Sequence, residues 1–190
     1  MSKKFILDSS ELAQWHTLVQ EAEQDSGCHL DEAMQSYLVF TLMRFAKNRQ
    51  LNTKALALDY LTAHHHSSHL RNEHLRDIGD QCLLVSGLYP QSAEKRLVGT
   101  GYYVDLGRSA YHHISTVTQK GIAELYQQLA ESFVLLMDLL QTIRQYSTPA
   151  LQPIAAMELW NQTESRAAFK QISESGLPIH KHFLCDTDKH

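Results

Sequence analysis

Glycine and proline are scarce in this chain. Eight glycines and four prolines in 190 residues are too few for a linker-rich or disordered protein, and they exclude a collagen-like repeat. Cysteine is scarcer still. Three cysteines, Cys28, Cys82 and Cys185, are odd in number and form no C-x-x-C pair, which excludes a disulfide scaffold and predicts free thiols in a reducing compartment. Basic charge is not in excess: Lys and Arg total 17 against 21 for Asp and Glu, a formal charge of −4. The longest basic cluster is Lys3-Lys4. A nucleic-acid binder needs a basic stripe or patch, so nucleic acid is not an expected partner, and neither is an anionic membrane. Long apolar runs are also missing. The longest covers 133–140 and is interrupted by Asp138, too short to cross a bilayer. Only three apolar residues precede the charge of Asp8, which predicts no signal peptide and a cytoplasmic location.

What is abundant is helical periodicity. Apolar residues recur at i, i+3, i+4 and i+7 throughout, strand-like alternation is nearly absent, and there is no Asn-Gly or Asp-Gly hairpin signal. The predicted class is all-α: a single-domain bundle of seven or eight helices, with 1–148 as its core and 149–190 as C-terminal helices and tail packed on the same domain. Gly27 is expected to end the first helix and Asp31 to cap the second. The second helix carries Met34, Tyr37, Leu38, Leu42 and Phe45 as its main stripe, with Val39, Phe40 and Met43 predicting burial nearly all round. Gly107 falls inside the helical pattern of 100–117, where it costs about 1 kcal/mol against Ala; it predicts a close helix crossing or a close approach to a ligand.

The clearest pattern lies in 120–146. Ile122, Leu129, Leu136 and Ile143 repeat every seven residues, as do Tyr126, Phe133 and Leu140. Such a seam packs at a shallow angle on a neighbouring helix. The neighbour is either in the same bundle, the commoner arrangement, or in a second copy, which makes the 122–143 face a candidate homodimer surface.

The chemistry-bearing residues concentrate in 64–80. There are twelve histidines in the chain, and His64-His65-His66 and His69 stand close together. His65, His69 and Glu73 share one helix face at i, i+4 and i+8, and Asp77 extends it. Two imidazoles and a carboxylate suit Zn, Fe or Mn, so this face is the candidate site for a divalent transition metal. Three turns span about 12 Å at ~1.5 Å per residue, so one ion cannot touch all of them and a second helix would have to supply ligands, with His112 and His113 as the obvious donors. Neither H-E-x-x-H nor a di-iron E-x-x-H pair occurs. The favoured reading of 64–80 is therefore a solvated polar face opposite Leu70, Leu75 and Ile78. Cys82 reads as a small buried hydrophobe. His180, His182 and Cys185 match no usual zinc spacing. No phosphate-binding glycine loop and no G-x-S-x-G elbow is present.

The stretch Gly79-Asp80-Gln81-Cys82-Leu83-Leu84-Val85-Ser86-Gly87-Leu88-Tyr89-Pro90, followed by Tyr102-Tyr103-Val104-Asp105-Leu106-Gly107-Arg108-Ser109-Ala110-Tyr111, resembles a segment of an uncharacterised family of helical proteobacterial proteins. The resemblance implies an all-helical bacterial protein and no particular activity. Two functions from different classes follow: a non-enzymatic cytoplasmic protein that binds a partner or a small ligand, or a metal-dependent oxidoreductase or hydrolase built on the His65, His69 and Glu73 face.

Overall fold

The computed structural model describes residues 9–47, 56–63, 68–90 and 98–175. Among them the chain is all-helical, with no strand. Nine helices follow in order: α1 (Ser9–Ser26), α2 (Glu32–Lys47), α3 (Leu56–Ala63), α4 (Ser68–Leu88), α5 (Thr100–Val117), α6 (Lys120–Glu131), α7 (Phe133–Gln145), α8 (Pro153–Thr163) and α9 (Arg166–Glu174). The short helical piece expected over 92–98 falls almost wholly outside the described residues.

The helix count exceeds the predicted seven or eight. Periodicity alone joins 120–146 into one helix, and the structure divides it at Ser132, whose ψ of 14° leaves the α basin. The hydrogen-bond ladder nevertheless continues through this residue: its N–H donates to Gln128 O at 2.8 Å and its carbonyl accepts from Leu136 N at 2.9 Å. A strict heptad drifts about 20° per repeat on a straight helix, and a bend between repeats re-aims the second half of the seam. Tyr126, Leu129, Phe133, Leu136 and Leu140 are all buried within the chain, while Ile122 at the seam's start is exposed.

Local signals explain the other ends. Gly27 terminates α1 with φ +65, a conformation that costs glycine little. The Asp31 carboxylate accepts from Met34 N at 2.8 Å and so satisfies one of the orphan donors of α2. Pro153 opens α8, where its missing N–H costs nothing. Glu164 closes α8 in the left-handed region at φ 55. Ser165 then caps α9, its Oγ accepting from Ala168 N at 3.0 Å.

The core is centred on α4, which packs on α5 and α7. Its second half is enclosed nearly all round: Ile78, Cys82, Leu83, Leu84 and Val85 are all buried. Gly107 marks the close crossing that its cost predicted. An added Cβ there would stand 2.5 Å from the Phe133 ring and 2.9 Å from Cys82 Cβ. Two side chains depart from the expected faces. Phe40 is 51% exposed, so α2 keeps an open side, and Leu70 is 48% exposed, so the apolar face of α4 begins at Leu75. The helical hairpin α8–α9 packs back on α5 and α7.

Candidate functional site

The most deeply buried carboxylate among the described residues is that of Asp80 on α4, which is 2% exposed. A charge there must be paired or hydrogen-bonded, and four side chains meet the demand. The hydroxyls of Tyr37 (α2) and Tyr111 (α5) each donate to Oδ1 at 2.6 Å. Arg44, two turns after Tyr37, pairs with Oδ2. Arg76, one turn before Asp80, adds favourable charge. Burial nonetheless raises the Asp80 pKa above the ordinary carboxylate value, against the lowering effects of Arg44 and the two tyrosines. Burial, together with the adjacent carboxylate, also pushes both phenols well above 10. The rings of Tyr37, Tyr111 and Tyr126 pack around the group with centroids 5.8–6.2 Å apart. Gly79 leaves the space the Tyr111 ring occupies; a Cβ there would overlap it. This network joins four helices, with the carboxylate and Tyr111 buried and Arg44 and Arg76 reaching the surface.

An open cleft of about 570 Å³ lies elsewhere, between the end of α1, α7 and α9. Its floor includes Asp138, the residue that interrupts the apolar run of α7. The carboxylate accepts the Ser165 hydroxyl at 2.5 Å on one oxygen, and Arg166 N and Ala167 N at 2.9 and 3.3 Å on the other. A carboxylate at a helix N-terminus complements the dipole, so Asp138 fastens α9 to α7. Burial raises its pKa despite these three donors.

The α1 wall of the cleft contributes Asp25 and Cys28, and the α9 wall contributes Arg166, Lys170 and Glu174. Tyr146, at the end of α7, donates its hydroxyl to Asp25 at 2.7 Å. The Cys28 thiol is 3.0 Å from Ser26 Oγ. Burial pushes its pKa up, and the Glu23 and Asp138 charges add to the rise. A raised thiol is protonated at neutral pH and is a poor nucleophile. A smaller groove of about 490 Å³ runs between α5 and α6, lined by Asp105, Arg108, His112 and Glu131.

The residues singled out for metal binding are not brought together within the described set. His65 and the side chain of His69 lie outside it, as do His180, His182 and Cys185. Glu73 is exposed on α4. Asp77 is engaged by Arg44 at 3.3 Å and Arg76 at 3.1 Å. His113 is half-buried and His112 exposed. Among the described residues no three His, Cys, Asp or Glu side chains form a group that could hold a metal ion. Cys82 is fully buried, where desolvation drives its thiol far above the ordinary range.

Sequence reasoning missed the buried carboxylates Asp80 and Asp138, and also Glu23 on α1, which accepts Leu30 N at 2.6 Å and Gln35 Nε2 at 2.7 Å. For Asp138 the available signal was a lone acid within an apolar helical run, whereas Asp80 stands among Arg76, Asp77 and Gln81 and carried no such signal. No family model matches the chain, and neither a curated protein nor a solved structure matches it. Among the described residues no helix is long and apolar enough to cross a membrane.

Proposed function

We propose that this chain is a non-enzymatic helical protein of the bacterial cytoplasm that binds a small ligand in the cleft between α1, α7 and α9. The observation that carries this reading is the cleft itself: about 570 Å³, lined by side chains of both charge signs and by hydroxyl and amide groups. That volume lies in the range of small-molecule sites. The polar groups around it favour holding over reacting. Asp138 has its oxygens taken by three donors, and the Cys28 thiol is raised rather than activated. Neither is set up as a base or a nucleophile.

The test is a fragment screen by ligand-observed NMR on the wild type and on a Thr142→Trp variant. Thr142 is half-buried in the cleft wall, so an indole there fills the space. Fragments that bind the wild type saturably and lose binding in a folded Thr142→Trp variant support the reading. Binding that survives the substitution, or a wild type that binds nothing, removes it.

A further inference from the structure

The charges along the cleft are ordered, and the order follows from how α7 and α9 lie. Asp138, in the second turn of α7, holds the first amides of α9. Further along, Gln171 Oε1 of α9 accepts Leu151 N at 3.2 Å, just beyond the end of α7. α9 therefore starts against α7 at Asp138 and by Gln171 has reached the segment that joins α7 to α8. Arg166 stands at the Asp138 end and Glu174 at the other end of α9, about 12 Å away along the axis at ~1.5 Å per residue, with Lys170 midway between them.

The Tyr146 end is acidic. Tyr146 binds Asp25, and Glu21 and Asp25 also line the adjoining hollow beside the same ring. The C-termini of α1 and α7 converge there, and each adds partial negative charge. An aromatic face beside carboxylates and helix C-termini is a setting for an organic cation. The opposite end is cationic. Arg166 and Lys170 outnumber the one carboxylate there: Asp138 feels the Arg166 charge, but its oxygens are taken by Ser165 and the α9 amides, and among the described residues no carboxylate makes a direct ion pair with either cation.

Resting on the small-ligand reading above, we infer that the cleft binds a small zwitterion, its carboxylate held by Arg166 and Lys170 and its ammonium held by Asp25, Glu174 and the Tyr146 ring. The ligand class is an amino acid whose two charges are separated by several bonds, since Lys170 and Glu174 are about 6 Å apart along the helix.

The experiment measures binding of 5-aminopentanoate, pentanoate and pentylamine to the full chain at neutral pH by ligand-observed NMR. The expected order is 5-aminopentanoate tighter than either single-charge probe by about tenfold, one charge contact in each case being lost. Glu174→Gln should weaken 5-aminopentanoate and pentylamine and leave pentanoate unchanged. Lys170→Gln should weaken 5-aminopentanoate and pentanoate and leave pentylamine unchanged. Both side chains are exposed, so the fold tolerates the changes. Equal affinity for all three probes, indifference to both substitutions, or no binding of 5-aminopentanoate overturns the inference. If uncharged fragments still bind the wild type and are lost with Thr142→Trp, the cleft remains a ligand site and only the zwitterion is wrong. If they too fail, both readings fall.

Discussion

The carboxylate of Asp80 accepts the Tyr111 hydroxyl at 2.6 Å, and this bond ties the middle of α4 to the middle of α5. Tyr37 completes the same oxygen from α2. Removing one member therefore exposes the others to a cost. Asp80→Ala leaves the Tyr37 and Tyr111 hydroxyls without their acceptor, while Arg44 keeps Asp77, and should destabilise the protein by about 3–5 kcal/mol. Tyr111→Phe removes one hydrogen bond to a charged group and should cost about 2 kcal/mol. Urea unfolding checks both. Asp80→Ala costing no more than Tyr111→Phe would show that the carboxylate does not organise the network.

The pH dependence has a definite sign. Folding raises the Asp80 pKa, chiefly by burial, against Arg44, the two tyrosines and Arg76. A raised carboxyl pKa means that the folded state holds its proton more tightly than the unfolded chain. The contribution is fully present below the ordinary value near ~4 and is lost as pH rises through the folded value. The stability of wild type minus that of Asp80→Asn should thus grow on acidification from neutral pH toward the ordinary carboxylate value. Groups common to both proteins cancel in the difference. A difference that shrinks over this window would contradict the assignment.

Asp138→Ala should loosen α9. The substitution frees Ser165 Oγ and two backbone amides at the helix start, a loss of about 2 kcal/mol on the scale of helix caps. Amide hydrogen exchange should accelerate in α9 and the second half of α8 before it does in α4 or α5. Uniform acceleration across all helices would show that the hairpin is not fastened separately through Asp138.

Gly107→Ala should overpack the crossing of α4, α5 and α7. The added methyl meets the Phe133 ring at 2.5 Å and Cys82 Cβ at 2.9 Å. Helix propensity alone favours Ala by about 1 kcal/mol, and overpacking costs about 1–3 kcal/mol. A thermal melt should show net destabilisation. A rise in melting temperature would mean that the crossing relaxes without strain.

Much of the fold was legible in the residues, and the site was not. Helical period, the Gly27 stop, the Asp31 cap and the costly Gly107 each report a local backbone requirement, and local requirements survive in sequence. The heptad of 120–146 identified the buried side of two helices but not the bend at Ser132, because the hydrogen-bond ladder continues through it. Asp80 and Asp138 read as a polar-face residue and as an interruption of an apolar run. Their partners lie 31 and 43 residues away for Asp80 and 27 to 29 for Asp138, a separation that no periodicity encodes. The cleft is harder still, since its walls come from three helices whose packing order is tertiary information.

The measurement that bears most directly on the binding site is a two-dimensional amide NMR titration with 5-aminopentanoate. Shift changes should saturate and cluster at Cys28, Tyr146, Lys170 and their neighbours around the α1, α7 and α9 cleft. Changes confined to the groove of Arg108, His112 and Glu131, or spread evenly over the surface, would contradict a ligand site between these three helices.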